Sequence, residues 1–133
     1  MEFDNTLMHL HVFCSFALFG LIWFVQLVHY PLMKYVDSEK WIEFHQAHTF
    51  WITPIAGPLM LGQLFSALFL FPVDPWLAGF SGLHFIFTFG VSVPIHNQLA
   101  NGMNQSLIQK LVRTNWFRTV SWTAHAAYLL FTK

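Results

Sequence analysis

Residues 7–30 carry no Asp, Glu, Lys or Arg. At about 1.5 Å per residue, such a run wound as a helix is long enough to cross a hydrocarbon layer of about 30 Å. Lipid offers no hydrogen-bond partners, so the backbone of the run must satisfy itself, which a helix does. A cleaved signal peptide would have a basic start, a shorter apolar centre and a small-residue cleavage site. Here Glu2 and Asp4 precede the run, and the segment is expected to be retained.

The rest of the chain follows the same logic. Of 133 residues, 56% are hydrophobic and 9% charged, whereas a soluble domain carries charge at roughly a quarter of its positions. So few charges cannot cover a water-facing surface. The net charge of zero gives no basic field for nucleic acid, and the single cysteine, Cys14, rules out an internal disulfide. Further spans are expected at residues 50–71, 76–95 and 115–131, with Pro72-Val73-Asp74-Pro75 turning the second into the third. The fold expected is all-α, a single-domain integral membrane four-helix bundle, with lipid as its first partner. Ser38 is the candidate cap for a lead-in to the second span, and Ser106 for a lead-in to the fourth.

Lys34, Lys40, Lys110, Arg113 and Arg118 lie in or beside the two longer connections, and Lys133 alone lies on the other side. The positive-inside rule then places both connections in the cytoplasm. In a bacterial inner membrane both termini would be periplasmic. A weak internal repeat aligns His48-Thr49-Phe50-Trp51 with Arg113-Thr114-Asn115-Trp116, and Pro31 with Pro94. It suggests a parallel duplication of a two-helix unit, with chance similarity between apolar segments as the alternative.

Successive helical residues lie about 100° apart, which tests whether the polar residues of each span share a face. They do: His11, Ser15, Gln26 and His29 on the first span; Thr49, Thr53 and Gln63 on the second; Ser81, His84, Thr88, Ser92 and His96 on the third; Asn115, Arg118, Ser121 and His125 on the fourth. His9 falls on the opposite side of its helix. A polar group facing lipid costs several kcal/mol, so the four stripes should turn inward. By helical rise, His11, His84 and His125 form an outer layer. His29, Glu43, His45, His48, His96, Asn97, Asn115 and Arg118 form an inner one near the cytoplasmic end.

Histidines on facing helices of a bundle can hold haem or a transition metal, and ionisable groups inside a membrane are functional candidates. His11, His84, His125 and Arg118 are the candidate cofactor-binding residues, and His29, His45, His48 and His96 the candidate metal ligands. Arg118 presents a fixed fork suited to a carboxylate, a quinone oxygen or a haem propionate, with snorkelling to lipid phosphate as its rival. Glu43 is a candidate proton acceptor, a counter-ion for Arg118, or a solvated loop carboxylate. No catalytic residue stands out: there is no Gly-x-Ser-x-Gly motif and no phosphate-cradling glycine loop.

Val93-Pro94-Ile95-His96-Asn97-Gln98-Leu99, followed by Asn115-Trp116-Phe117-Arg118, resembles the bacterial family of small four-helix membrane proteins related to anthrone oxygenases. The likeness extends to His29-Tyr30-Pro31 and His45-Gln46-Ala47-His48-Thr49, with His96 where better-known members tend to carry asparagine. His11 and Leu83-His84 are also similar to the four-helix membrane protoporphyrinogen oxidases, a resemblance that implies haem at His11 and His84. Two functions remain open at this point. One is a small membrane oxidoreductase or cofactor-binding protein whose interior holds haem, a metal or a hydrophobic small molecule. The other is a non-catalytic membrane module, as a subunit of a larger complex, a homo-oligomer, or a pathway for protons or small solutes.

Overall fold

The structure, a computed structural model, describes residues 2–133 and the side chains of residues 4–133. It is helical throughout, with no strand among the described residues. The first rod joins α1 (Glu2–Phe24), a π-helical turn (Val25–His29), α2 (Tyr30–Leu32) and a 3-10 turn (Met33–Tyr35). Then comes α3 (Trp41–Phe69). The third rod joins α4 (Pro75–Phe87), a second π turn (Thr88–Ser92) and α5 (Val93–Leu99), and α6 (Gln105–Thr132) completes a four-helix bundle. α1 and α4 each pack against both α3 and α6, which puts α1 diagonally across from α4.

Buried residues repeat at helical spacing. On α1 and its π turn they are Leu7, His11, Cys14, Ser15, Leu18, Ile22, Val25 and Gln26. Large apolar side chains such as Phe13, Phe24, Phe65, Ile86 and Phe117 point outward. Three rods, Asp4–Tyr35, Trp41–Phe69 and Pro75–Leu99, are long and apolar enough to cross a membrane. α6 is not among them, although its 28 residues suffice in length. Its inward face carries Asn115, Thr119, Ser121 and His125, all buried, and that polar stripe lowers its hydropathy below that of the residue 115–131 span expected from its apolar back.

Both π turns have the same cause. A proline ring clashes with the carbonyl four residues back and offers that carbonyl no N–H, so the helix widens by one residue ahead of it. Val25–His29 precedes Tyr30-Pro31, and Thr88–Ser92 precedes Val93-Pro94 at the same spacing. The two halves thus share a backbone irregularity as well as a sequence match. By contrast, α3 runs through Pro54 and Pro58 without interruption.

The helix starts differ from the expected caps. α6 is capped by Asn104, whose Oδ1 accepts from the Leu107 N–H at 3.0 Å, and not by Ser106, which already lies in the first turn. Lys40, in a helical conformation, occupies the α3 cap position, and Ser38 makes no side-chain cap there. Gly102, at φ +149°, turns the chain from α5 into α6.

Gly62 brings α3 onto α1: a Cβ at that position would lie 2.9 Å from Cys14 Sγ. Small residues at a membrane helix contact allow this approach. Gly62→Ala is expected to cost about 1–3 kcal/mol through overpacking. Combining it with Cys14→Ala should recover most of that loss, as read by thermal unfolding of both variants in detergent.

The hairpin end is pinned by Asp74, only 4% exposed. Its carboxylate accepts from Tyr128 Oη at 2.8 Å, pairs with Lys133 Nζ at 2.8 Å, and caps α4 through the Trp76 N–H at 3.1 Å. Burial alone would raise the Asp74 pKa, but the bonds from Lys133, Tyr128 and Trp76 outweigh it and hold the carboxyl below its usual range. Its bond to Asp74 raises Lys133 in turn. A lowered carboxyl stabilises the fold above its unfolded pKa of about 3.9 and loses that contribution as the pH falls through the folded value. Acid titration should therefore destabilise the wild type in this window. Asp74→Asn should be weaker at neutral pH by about 2 kcal/mol and nearly flat across the same range.

Candidate functional site

The inward stripes build two polar layers. In the outer layer His11, His84 and His125, each fully buried, meet around Gln63. His11 Nδ1 lies 3.1 Å from the Gln63 carbonyl oxygen and 2.9 Å from Ser66 Oγ. A carbonyl only accepts, so Nδ1 carries the proton of a neutral His11 ring, and His11 Nε2 accepts from His125 Nε2 at 3.1 Å. His125 Nδ1 then accepts from the Gln63 side-chain amide at 3.5 Å. The same amide group donates to Ser15 Oγ at 2.9 Å, and its oxygen accepts from His84 Nδ1 at 3.0 Å. Phe80 stacks on His125 and Trp122 on His84, with ring centroids 4.7 and 4.0 Å apart. Beyond this layer Leu7, Ala67, Leu70, Leu77 and Leu129 form an apolar plug at the hairpin end.

Haem does not fit between His11 and His125 as they stand. Two collinear metal–nitrogen bonds of about 2 Å would set the ligating nitrogens about 4 Å apart, and these two are in direct contact at 3.1 Å. None of the outer trio lines the cavity that opens between the two layers.

The inner layer is a second set of direct bonds. His29 Nε2 and His48 Nδ1 are 2.8 Å apart, His45 Nε2 and His96 Nδ1 3.0 Å, and the Tyr30 hydroxyl lies 3.0 Å from His96 Nε2. The His48 and His96 rings face each other at 5.2 Å. All four histidines named as candidate ligands are thus gathered, yet no three His, Cys, Asp or Glu among the described residues form a group that could hold a metal ion. Trp41 closes the layer from below, donating through Nε1 to the Leu99 carbonyl at 2.8 Å and stacking on His45. Glu43 is not part of the layer: it is exposed in the first turn of α3, 3.9 Å from Lys40 Nζ, which agrees with a solvated carboxylate and not with a counter-ion for Arg118. Asn97 is exposed and lines the rim of the cavity between the two layers.

Between the layers, α5 keeps its packing on α6 while α3 draws away from the third rod. A cavity of about 350 Å³ occupies the gap. Its walls are mainly apolar, from Leu18, Leu21, Ile22, Ile52, Ala56, Met60, Phe89 and Val93, with Gly57 adding no side chain. The polar end gathers Tyr30, His48, Thr88, Ser92, His96, Asn97 and Arg118. Arg118 turns inward: its guanidinium donates to Asn115 Oδ1 at 3.1 Å and Ser92 Oγ at 3.4 Å, over the Trp122 ring. Asn115 is held by Gln26, whose Oε1 accepts from it at 2.9 Å and from Thr119 at 3.2 Å. Arg118 Nε, Thr88 Oγ1 and Trp122 Nε1 are buried polar atoms without a protein partner, and all three residues line the cavity.

Sequence reasoning missed Tyr30, Trp122 and the central place of Gln63. Tyr30 is polar only at its tip and belongs to none of the polar stripes, although its place beside Pro31 and one residue after His29 is a usable signal. The comparisons with known protein families, curated proteins and solved structures yield no match to this chain.

Proposed function

We propose that this protein takes a lipophilic small molecule from the bilayer into the side cavity between α3 and the third rod, as a small membrane oxidoreductase or cofactor-binding protein. The observation that carries this reading is the pairing of apolar walls with a polar end in which Arg118 Nε and Thr88 Oγ1 have no protein partner. Buried polar atoms are almost always hydrogen-bonded, and a ligand oxygen placed there would satisfy both. Pockets of this kind, apolar with a few convergent polar groups, suit small-molecule ligands.

The adjoining chain Tyr30 Oη, His96, His45 supports proton transfer to or from the occupant. Each link is 3.0 Å long, and reversing the donor and acceptor of each link moves one proton along the row. With the basic connections on the cytoplasmic side, the cavity lies in the cytoplasmic half of the bundle and the termini face the periplasm. A through-pathway for protons is disfavoured by the apolar plug at the hairpin end. The direct bonds that join His11, His125, Gln63 and His84, with His84 Nε2 alone left without a partner, favour a helix-fastening role for the outer trio in either case.

Organic extraction and mass spectrometry of protein purified from its own membranes test the proposal. The wild type should retain a lipophilic compound enriched over the surrounding lipid, and Gly57→Phe, which places a ring at the cavity wall, should lose at least tenfold of it. Retention of bulk lipid alone by both proteins would overturn the reading.

A further inference from the structure

We infer that the occupant of this cavity is an anion, a lipophilic molecule whose ionised oxygen acid pairs with Arg118. The inference rests on the side-cavity reading above and adds the charge of the ligand. Arg118 lies three residues after Asn115 and turns its guanidinium into the bundle, onto Asn115 Oδ1 and Ser92 Oγ. A guanidinium stays charged under all ordinary conditions. A charge turned into a bundle interior is costly and is normally paired or hydrated.

No carboxylate among the described residues answers it. The ion pairs of Lys40 with Glu43 and of Lys133 with Asp74 lie away from the cavity, and no Asp or Glu lines its wall. The oxygens that accept from the guanidinium are the neutral Asn115 amide and Ser92 hydroxyl. The Tyr30 hydroxyl also lies beside it.

The groups without partners are matched to an anion as well. Arg118 Nε–H and Trp122 Nε1–H can only donate, and the Thr88 hydroxyl can donate. A ligand that brought only donors would leave them unsatisfied. A neutral carbonyl would satisfy one or two, whereas a carboxylate or similar ionised acid offers about four lone-pair sites and the missing negative charge. Asn115, fixed by Gln26 and aided by Thr119, holds the guanidinium toward the cavity before a ligand arrives.

A fluorescent polyene fatty acid, cis-parinaric acid, and its methyl ester provide the test, because they share one chain and differ in charge. Both are titrated in alkaline buffer into the purified protein in phosphatidylcholine nanodiscs, reading energy transfer from tryptophan and taking the saturable part that Gly57→Phe removes. The wild type should prefer the acid over the ester by about tenfold to a hundredfold, the worth of one or two charge-assisted hydrogen bonds. Arg118→Gln should bring acid and ester to equal affinity, and Arg118→Lys should keep part of the preference. Equal binding of acid and ester by the wild type would overturn the inference and leave the cavity reading standing. No saturable binding of either probe would overturn both. A preference for the acid that survives in Arg118→Gln would place the anion elsewhere and overturn the assignment to Arg118. The wild-type comparison needs no variant at Arg118, so it decides even where Arg118→Gln fails to fold.

Discussion

Replacing Gln63 by leucine should destabilise the bundle by about 3–6 kcal/mol, because one side chain of nearly the same length serves three helices other than its own. Its amide donates to Ser15 on α1 and to His125 on α6, and accepts from His84 on α4. Leucine would leave these groups bare in a fully buried layer, each at roughly 1–3 kcal/mol. His84 would also lose the bond that fixes its tautomer and its link to His125, whereas His11 keeps the main-chain carbonyl of residue 63. The melting temperature should fall by about 10–20 °C. Ser81→Ala is the matched control. Ser81 is equally buried, but its hydroxyl donates only to its own helix, at the Leu77 carbonyl, so the change should stay within about 1 kcal/mol.

Trp41→Ala should be comparably severe at the opposite end, at about 3–5 kcal/mol. Trp41 has no exposed surface and packs with Met33, Leu99, Ile108 and Leu111 where the rods converge. Its indole N–H ties α3 to the last carbonyl of α5 across the mouth of the bundle. Trp41→Phe keeps most of the packing but removes that tie between helices, leaving the Leu99 carbonyl the Gly102 N–H at 3.3 Å, and should recover at least half of the loss. The ring is also the floor beneath His45. Trp41→Ala should therefore admit water to the His45–His96 bond and shift the imidazole resonances of both rings, whereas Gln63→Leu should leave them in place. Thermal unfolding of the four variants in the same detergent, with nitrogen NMR of labelled histidine, reads both effects.

The sequence made the helices and their inward faces legible because both follow from local rules. An uncharged run of sufficient length has one solution in lipid, and a period of 3.6 residues assigns each polar residue to a face. That is why His11, His84 and His125, far apart in the chain, could be placed in one layer, and why His29, His45, His48 and His96 could be placed in another. The same rules brought Arg118 inward but could not choose its partner. Of the readings open for Glu43, the solvated carboxylate agrees with its exposed place beside Lys40, and Asn115 and Ser92 hold the Arg118 guanidinium.

What escaped notice depends on more than one helix at a time. The cavity arises from the angle between α3 and the third rod, which no periodicity encodes, although the run of small residues at Ala56 and Gly57 lies at its wall. The π turns before Pro31 and Pro94 are backbone responses to a ring clash, legible from proline only as a bend of unstated kind. Gln63 was visible as one member of a stripe, but its role as a hub required three partners on separate helices. The fourth helix was read as a shorter span because its polar face interrupts the hydropathy. That same face supplies Asn115, Arg118 and His125.

The occupancy of the side cavity is the claim on which the functional reading stands, and an experimental density map of the protein in lipid nanodiscs tests it most directly. The account predicts non-protein density inside the cavity, ending within hydrogen-bond distance of Arg118 Nε and Thr88 Oγ1. A cavity closed by its own side chains, with the Arg118 guanidinium turned out to the lipid head groups, would contradict it.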